Sequence, residues 1–423
     1  MRPVRADLIA CAIAVGIILA VAVAGFRLNQ AGVPLFADSA PLFGYWLPHA
    51  GPGTPPALLT AAAVIAWGPA LADRLSWRGL LATGYLGSLL WTFSLAMIEG
   101  WQEGIARRLT HEPEYLHDVP RVTDIPAMLS GFTDHVLLAP GSWTVHVSGH
   151  PPGALLLYVW LDRIGLGGGA AAGMLSLLAG ATVAISVPIA VRALHGADAA
   201  RASVPFLVLF PGAVWVGVSA DGVFMAVVAA GIALFAVGSV RSAAAGGALL
   251  GWAIFLNYGL VLAGAFVLAI TLTTRRVVPL VAAAVAALAV VAAFAAAGFW
   301  WFDGYELVVQ RYYQGEFAQR PYSYWVWGNL GAVLLSAGPV AAVVVRRSAV
   351  GWRSAGLVAA ALLAVLAADL SGLSKAEVER IWLPFAVWFA AGAWLLPAAH
   401  RRGWLAVQAI TALAVNHLVV TNW

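Results

Sequence analysis

Apolar runs of about 20 residues recur along the chain, the length a helix needs to cross a bilayer. They are parted by short arginine-bearing turns and by longer stretches rich in acids and aromatics. Thirteen spans are predicted, at 8–26, 57–72, 79–98, 170–191, 202–218, 222–239, 243–256, 259–272, 277–298, 325–345, 354–372, 381–397 and 403–420. The pair at 243–256 and 259–272 is short and broken by Leu256-Asn257-Tyr258-Gly259, which predicts a helical hairpin that does not cross fully. The apolar segment 152–164 is shorter still, about 20 Å of helix at 1.5 Å per residue.

Charge orients this layout. With the N-terminus inside, the inner segments hold Arg2, Arg5, Arg74, Arg78, Arg192, Arg201, Arg241, Arg275, Arg276, Arg346, Arg347, Arg353, Arg401 and Arg402, 14 of the 23 basic residues. Only three acids, Asp7, Asp73 and Asp198, join them. This is the asymmetry of the positive-inside rule. If 152–164 crossed, every later loop would flip and the asymmetry would collapse. That segment is therefore expected to dip into the outer leaflet and return, leaving the C-terminus outside. The first run follows a basic tip. It is too long for a typical signal core and lacks a clear cleavage site, so it reads as a retained span.

Composition sharpens the class. The chain of 423 residues is 62% hydrophobic and 10% charged, with mean hydropathy +0.88, as expected of an all-α polytopic membrane protein. Its one cysteine, Cys11, excludes disulfides and cysteine metal sites. The net charge of +4 comes from arginines scattered between apolar spans, so no nucleic acid is expected as a partner. The lipid bilayer is. No internal repeat of fixed period is visible. The soluble chemistry is then confined to outer loops at 27–56, 99–151, 300–324 and 370–380.

The longest loop opens with Glu99 to Leu109, which is compatible with an amphipathic surface helix. Ile105 and Leu109 would lie on its apolar face, with Glu99, Glu103 and Arg107 on another. Pro113 and Pro120 end regular helix after it. Seven carboxylates lie between Glu99 and Asp134. Most are expected to be solvated loop charges, among them Glu112, Glu114 and Asp134. Glu99 differs, because it stands where span 79–98 leaves the membrane. Partial desolvation there suits a general base, and the competing reading is a helix-end charge reaching for water.

The loop ends on Ser148-Gly149-His150-Pro151-Pro152, where the prolines fit a first helical turn. His146 and His150 are four apart, but Gly149 and the prolines interrupt a helix there, so no metal pair is assigned. The plainer expectation is two interface histidines bonded to backbone carbonyls. The alternative is that His150 touches phosphate or acceptor. The aromatic loop 298–327 reads first as an interfacial belt. Trp301, Tyr312 and Tyr313 would also suit stacking on a sugar ring.

The strings IEGWQEGIARRL, EYLHDVP and HPPGALLLYVWLDRIGLGG together resemble the first outer loop of the GT-C superfamily, membrane glycosyltransferases that use polyprenyl-phosphate sugars. These include protein O-mannosyltransferases and the aminoarabinose transferases of lipid A. The inner turn after AVRALHG, the Asp221 that opens the next helix, the hairpin at GGALLGWAIFLNYGLVL and the motif EVERIWLPFAVW resemble later GT-C elements. The resemblance covers roughly 79–397, with 1–78 as a two-span N-terminal extension and 398–423 as a C-terminal span. It departs from the family in lacking the adjacent acid pair, since Ile98 takes one of its positions.

The resemblance implies transfer of a sugar from a polyprenyl-phosphate donor to an extracytoplasmic acceptor, an inverting reaction with a carboxylate base, at the outer face of the cell inner (cytoplasmic) membrane. Glu99 is the implied base, with Asp118, Asp124 and Asp38 as alternates. Arg380 is implied for the donor phosphate, with Lys375, Arg311 and His150 beside it. Glu103, His146, Asp221, Trp301, Tyr312, Tyr313 and Glu377 are the remaining substrate-binding candidates. No cofactor is implied, although the chemistry leaves room for a divalent cation. A transporter or lipid flippase, or a noncatalytic GT-C subunit, is the alternative. Against transport, the acids gather on one face and no two-repeat symmetry shows.

The layout is open to a direct test. In a background without Cys11, an impermeant thiol reagent added from outside should label cysteines placed at 117 and 423. Labelling of one at 347 instead would overturn the layout.

Overall fold

A computed structural model describes residues 2–217, 219–349 and 352–421. The last residue of the predicted span 202–218, the labelling position 423 and the side chains of Arg2, Arg353 and Ser354 lie outside the described residues.

The described chain is nearly all helical. Helix α1 (Arg2–Gln30) leads into an outer loop carrying strand β1 (Gly44–Trp46), then α2 (Thr54–Arg74) and α3 (Trp77–Ala96). The long loop follows, with α4 (Ile125–Ser130), α5 (Val145–Gly149) and α6 (Pro152–Arg163). Next come α7 (Gly169–Ala181), α8 (Val183–His195), α9 (Ala197–Val208), α10 (Ala213–Val216), α11 (Asp221–Val237) and α12 (Val240–Ala253). Helices α13 (Gly264–Thr274), α14 (Val277–Ala296), α15 (Trp301–Gln314), α16 (Tyr322–Ser336), α17 (Val340–Ser348) and α18 (Trp352–Leu370) complete most of the bundle. The chain ends through the short α19 (Val378–Ile381) and α20 (Leu383–Ala386), then α21 (Arg401–Leu418) and strand β2 (Val419–Thr421).

Five helices are long and apolar enough to cross a membrane: Val4–Gln30, Thr54–Arg74, Trp77–Glu99, Gly169–His195 and Val277–Ala296. The last carries exposed Val277, Val281, Val285 and Leu288, and α1 exposes Leu8, Ile13, Leu19 and Val23. Such faces need an apolar solvent. Of the other predicted spans, 354–372 and 403–420 are unbroken helices, α18 and α21, and the rest are broken or short. The expected span 325–345 is α16 and α17, which meet at 98°, because Pro339 at the corner has no N–H to continue the ladder. The expected span 202–218 stops as regular helix at Val208, ahead of Pro211. The expected span 381–397 is α20, begun at Leu383-Pro384, followed by a tighter helix at Val387–Leu395.

The predicted surface helix 99–109 also differs. It is three short turns, at Met97–Glu99, Gln102–Ala106 and Arg108–Thr110. Gly100 at φ 79° breaks the ladder, so the chain folds back over the end of α3. Ile105 and Leu109 are buried as the pattern required, and Glu103 and Arg107 pair on the exposed side at 2.7 Å. Segment 152–164 is a single short helix, α6, buried against the loop and α7.

Strands β1 and β2 pair antiparallel, Gly44 opposite Thr421 and Trp46 opposite Val419. Asn416 Nδ2 donates to the carbonyl of Leu95 at 2.8 Å, and Arg108 Nη1 to that of Thr421 at 2.9 Å. The N-terminal loop, the long loop and the C-terminal end thus meet at one end of the bundle. At another part of the bundle Asp7 is held by Arg346 and Arg347, and Arg201 Nη1 donates to the carbonyls of Ala72 (2.5 Å) and Leu75 (2.8 Å).

Helix α11 is buried along most of its length and is the bundle's axis, with α8 and α12 against it. Helix α12 also lies on α14 at backbone contact. A Cβ at Gly247 would sit 2.1 Å from the Ala283 carbonyl, and one at Gly251 2.7 Å from Ala287 Cα. Small residues permit this approach, which is what holds apolar helices together where lipid is as apolar as protein. Gly247→Leu should destabilise the protein by about 1–3 kcal/mol through overpacking. Gly16→Leu, where a Cβ meets nothing within 4 Å, should not. Thermal unfolding in detergent distinguishes the two.

Candidate active site

The long loop has little regular structure because its prolines and polar residues spend their hydrogen bonds locally, and those bonds build the site. Asp118 is 2% exposed, and its carboxylate takes Arg121 at 2.5 Å and the N–H of Thr144 at 2.7 Å. The N–H of His146 donates to the carbonyl of Pro113 at 3.0 Å. These bonds lay segment 111–118 along α5, so that Glu114 and His146 face each other.

Glu114 is 3% exposed, with Oε2 3.0 Å from His146 Nδ1. This corrects the expectation of a solvated loop charge. Its neighbours Glu112 and Asp134 are not buried, and nothing in local composition separates the three. Beyond His146, Nε2 meets Arg380 Nη2 at 3.4 Å. Arg380, 5% exposed on α19, donates through Nη1 to Asp221 Oδ2 at 2.7 Å and through Nη2 to Glu377 Oε2 at 2.9 Å. Asp221 is the first residue of α11 and 1% exposed. Its other oxygen, Oδ1, is buried with no hydrogen-bond partner among the described residues.

Aromatic side chains close over this cluster. Tyr115 stacks on Tyr158 of α6, ring centroids 5.3 Å apart, and its ring lies 5.9 Å from that of His146 and 5.7 Å from that of His150. Burial, together with the nearby carboxylates, pushes the Tyr115 phenol well above its ordinary range. His150 Nδ1 meets the carbonyl of His146 at 2.7 Å, and Nε2 lies 3.2 Å from Asn257 Nδ2. Burial depresses the His150 imidazole to about 4, outweighing the opposing pull of Asp221. Glu379, fully buried beside the cluster, accepts the N–H of Phe43 at 2.9 Å, and burial pushes its carboxyl up to about 7.

Of the residues singled out in the sequence, Arg380, His146, His150, Asp221 and Glu377 come together here. The others lie elsewhere. Glu99 is ion-paired with Arg108 at the end of α3. Asp124 caps α4 by accepting the N–H of Ala127 at 2.9 Å. Asp38 is exposed in the N-terminal loop, and Glu103 is spent on Arg107. Trp301 stacks on Tyr305 at 5.4 Å and donates its N–H to the Ile254 carbonyl at 2.9 Å. Lys375 Nζ lies 5.7 Å from the Tyr312 ring, and Tyr313 is exposed. Arg311 makes no hydrogen bond or ion pair among the described residues, and its Nε is buried without a partner. It shares a face of α15 with Leu307 and Gln314 by helical spacing. Gln314 Oε1 accepts the N–H of Leu138 at 2.7 Å, so that face is turned to the long loop.

No protein-family model, curated protein or solved structure matches this chain. The site therefore has to be read from its own chemistry.

That chemistry is acidic. Glu114, Asp221 and Glu377 surround one arginine and one histidine, so a further anion would be repelled from the centre. Sequence reasoning missed Glu114, Tyr115, Tyr158 and Asn257. For Asn257 alone there was a signal, a polar residue inside an otherwise apolar run.

The His150 shift has a stability consequence. Its folded value of about 4 lies below the ordinary 6.5, so the unfolded chain binds the proton first. Its contribution is complete above pH 6.5 and is lost as pH falls toward 4. His150→Gln should flatten the melting temperature through that window. An unchanged slope would overturn the assignment.

Proposed function

We propose that this chain is a GT-C-type membrane glycosyltransferase, moving a sugar from a polyprenyl-phosphate donor to a hydroxyl acceptor at the outer face of the cytoplasmic membrane. Asp221 Oδ1 carries the reading: a buried carboxylate oxygen without a partner, on a carboxylate whose other oxygen Arg380 holds at 2.7 Å. Such a group is oriented and ready to accept a proton.

In this reading Asp221 takes the proton from the acceptor hydroxyl as its oxygen attacks the anomeric carbon. The bond from that carbon to the phosphate oxygen breaks, and polyprenyl phosphate leaves with inversion. Arg380 orients Asp221 and Glu377, while Glu114 fixes His146 from the side of the loop. With Arg380 occupied by carboxylates, the phosphate falls to Arg311, which has five N–H donors and no hydrogen-bond or ion-pair partner among the described residues. Lys375 adds charge beside Tyr312, and the Trp301–Tyr305 stack offers a face for the sugar. Glu114, His146, Asp221 and Arg380 are at most 7% exposed, so acceptor entry requires the long loop to lift.

The same reading completes the bilayer layout. The shorter apolar helices Asp221–Val237, Tyr258–Thr274, Gly356–Leu370 and Leu383–Leu395, with α9, α12, α21 and the bent pair α16–α17, join the five long ones in a thirteen-span arrangement, with the N-terminus inside and α6 re-entrant from outside.

The test is sugar transfer in membranes from radiolabelled polyprenyl-phosphate donors. Asp221→Asn keeps size and the bond to Arg380 but removes the base, so turnover should fall about 10²–10⁴-fold. Arg311→Ala should raise the donor KM more than it lowers turnover. Glu99→Gln should retain transfer, because Glu99 is committed to Arg108. Full activity in Asp221→Asn with loss in Glu99→Gln would move the base to Glu99, and no transfer by the wild type from any donor would overturn the reading.

A further inference from the structure

Two polar side chains lie deep among apolar helices and take no part in the reaction above. Asn329, in α16, is fully buried, and Asp369, near the end of α18, is 2% exposed. Polar groups in an apolar layer are costly and persist where their bonds do something specific. Asn329 Nδ2 donates to Asp369 Oδ1 at 2.9 Å and to the carbonyl of Ser374 at 2.8 Å, and its Oδ1 accepts the N–H of Ala376 at 3.2 Å. Asp369 thus orients the amide, and the rest of the amide's bonding goes to the turn before α19.

Arg320, 3% exposed, is a second clamp on that turn. Its Nη1 donates to the carbonyl of Lys375 at 2.7 Å and to Glu377 Oε1 at 3.4 Å. Between the two clamps Ala376 and Glu377 both hold left-handed backbone, at φ 70° and 64°. Side chains other than glycine rarely adopt it, and two in succession survive only where the surroundings over-determine them. The product is the placement of Glu377. Its carboxylate meets Arg380 at 2.9 Å, and its carbonyl accepts the N–H groups of Arg380 and Ile381, both at 3.1 Å, which starts α19.

We infer that Asn329, oriented by Asp369, is a positioning residue: it holds the 374–377 turn in its left-handed form from within the apolar layer and so sets Glu377 against Arg380. The effect on sugar transfer rests on the proposed function, whereas the conformational effect does not.

The conformation is measured without any substrate. In a Cys11→Ser background, spin labels on cysteines at 302 and 373, replacing the exposed Phe302 and Leu373, report the distance from α15 to the turn. The parent should give one narrow distance distribution by pulsed dipolar spectroscopy. Asn329→Ala should lose it, and adding Ala376→Gly should return part of the narrow population, because glycine takes φ > 0 without a clamp. Asp369→Ala, which leaves Asn329 present but unoriented, should broaden the distribution less, and it carries the test if Asn329→Ala does not accumulate. A narrow distribution in both single variants, or no recovery from Ala376→Gly, would overturn the inference. Loss and partial return of the distances with transfer absent throughout would uphold the positioning and count against the glycosyltransferase reading instead.

Discussion

The arrangement at the loop-bearing end of this bundle depends on one buried cation. An ion taken out of water costs several kcal/mol even after relaxation, so a guanidinium with 5% exposure exists only if carboxylates come with it. Arg380 draws Asp221 from the start of α11, Glu377 from the strained turn and His146 from α5. These elements are far apart in sequence, and their convergence ties the axis of the bundle to the long loop. Removing the arginine would leave the buried Asp221 carboxylate uncompensated in a dry place.

The loop is built to a different standard. It has short turns in place of long helices, with side-chain bonds to its own backbone beside Leu109, Phe132, Val136 and Val147, which it buries in the apolar core. Asp118, Arg121 and Thr144 stitch it together, and Arg121 also lies over the Trp143 ring at 4.3 Å.

The strain at Ala376 and Glu377 fits the same economy. Asn329 sits in an apolar helix, where a polar amide is unfavourable unless it is fully used, and the turn it fixes sits where a charged pair must be aligned. The cost in the apolar layer and the order in the site are two ends of one hydrogen-bond chain, from Asp369 through Asn329 to the turn that carries Glu377.

Much of this was legible in the one-dimensional pattern, and some of it could not have been. Hydropathy determined that the chain is a helical membrane protein, because burying or dissolving apolar runs of that length in lipid depends on composition alone. Where the runs carried Pro211, Pro339 or Pro384, the pattern still counted apolar residues, but the backbone could not continue its ladder, so whole predicted spans became broken helices. Arg380, Asp221, His146 and His150, which the fold brings together, could be singled out in sequence because each stands at or near the edge of an apolar run. Glu114 was not, since in sequence it is one of seven loop carboxylates, and only the folding of 111–118 along α5 takes it out of water. Glu99 shows the converse: its place at a helix end suggested a base, and tertiary structure gave it Arg108. Whether a carboxylate is solvated, paired or left with a free oxygen depends on what folding brings beside it, and that partner stands nine residues away for Glu99 but 159 for Asp221.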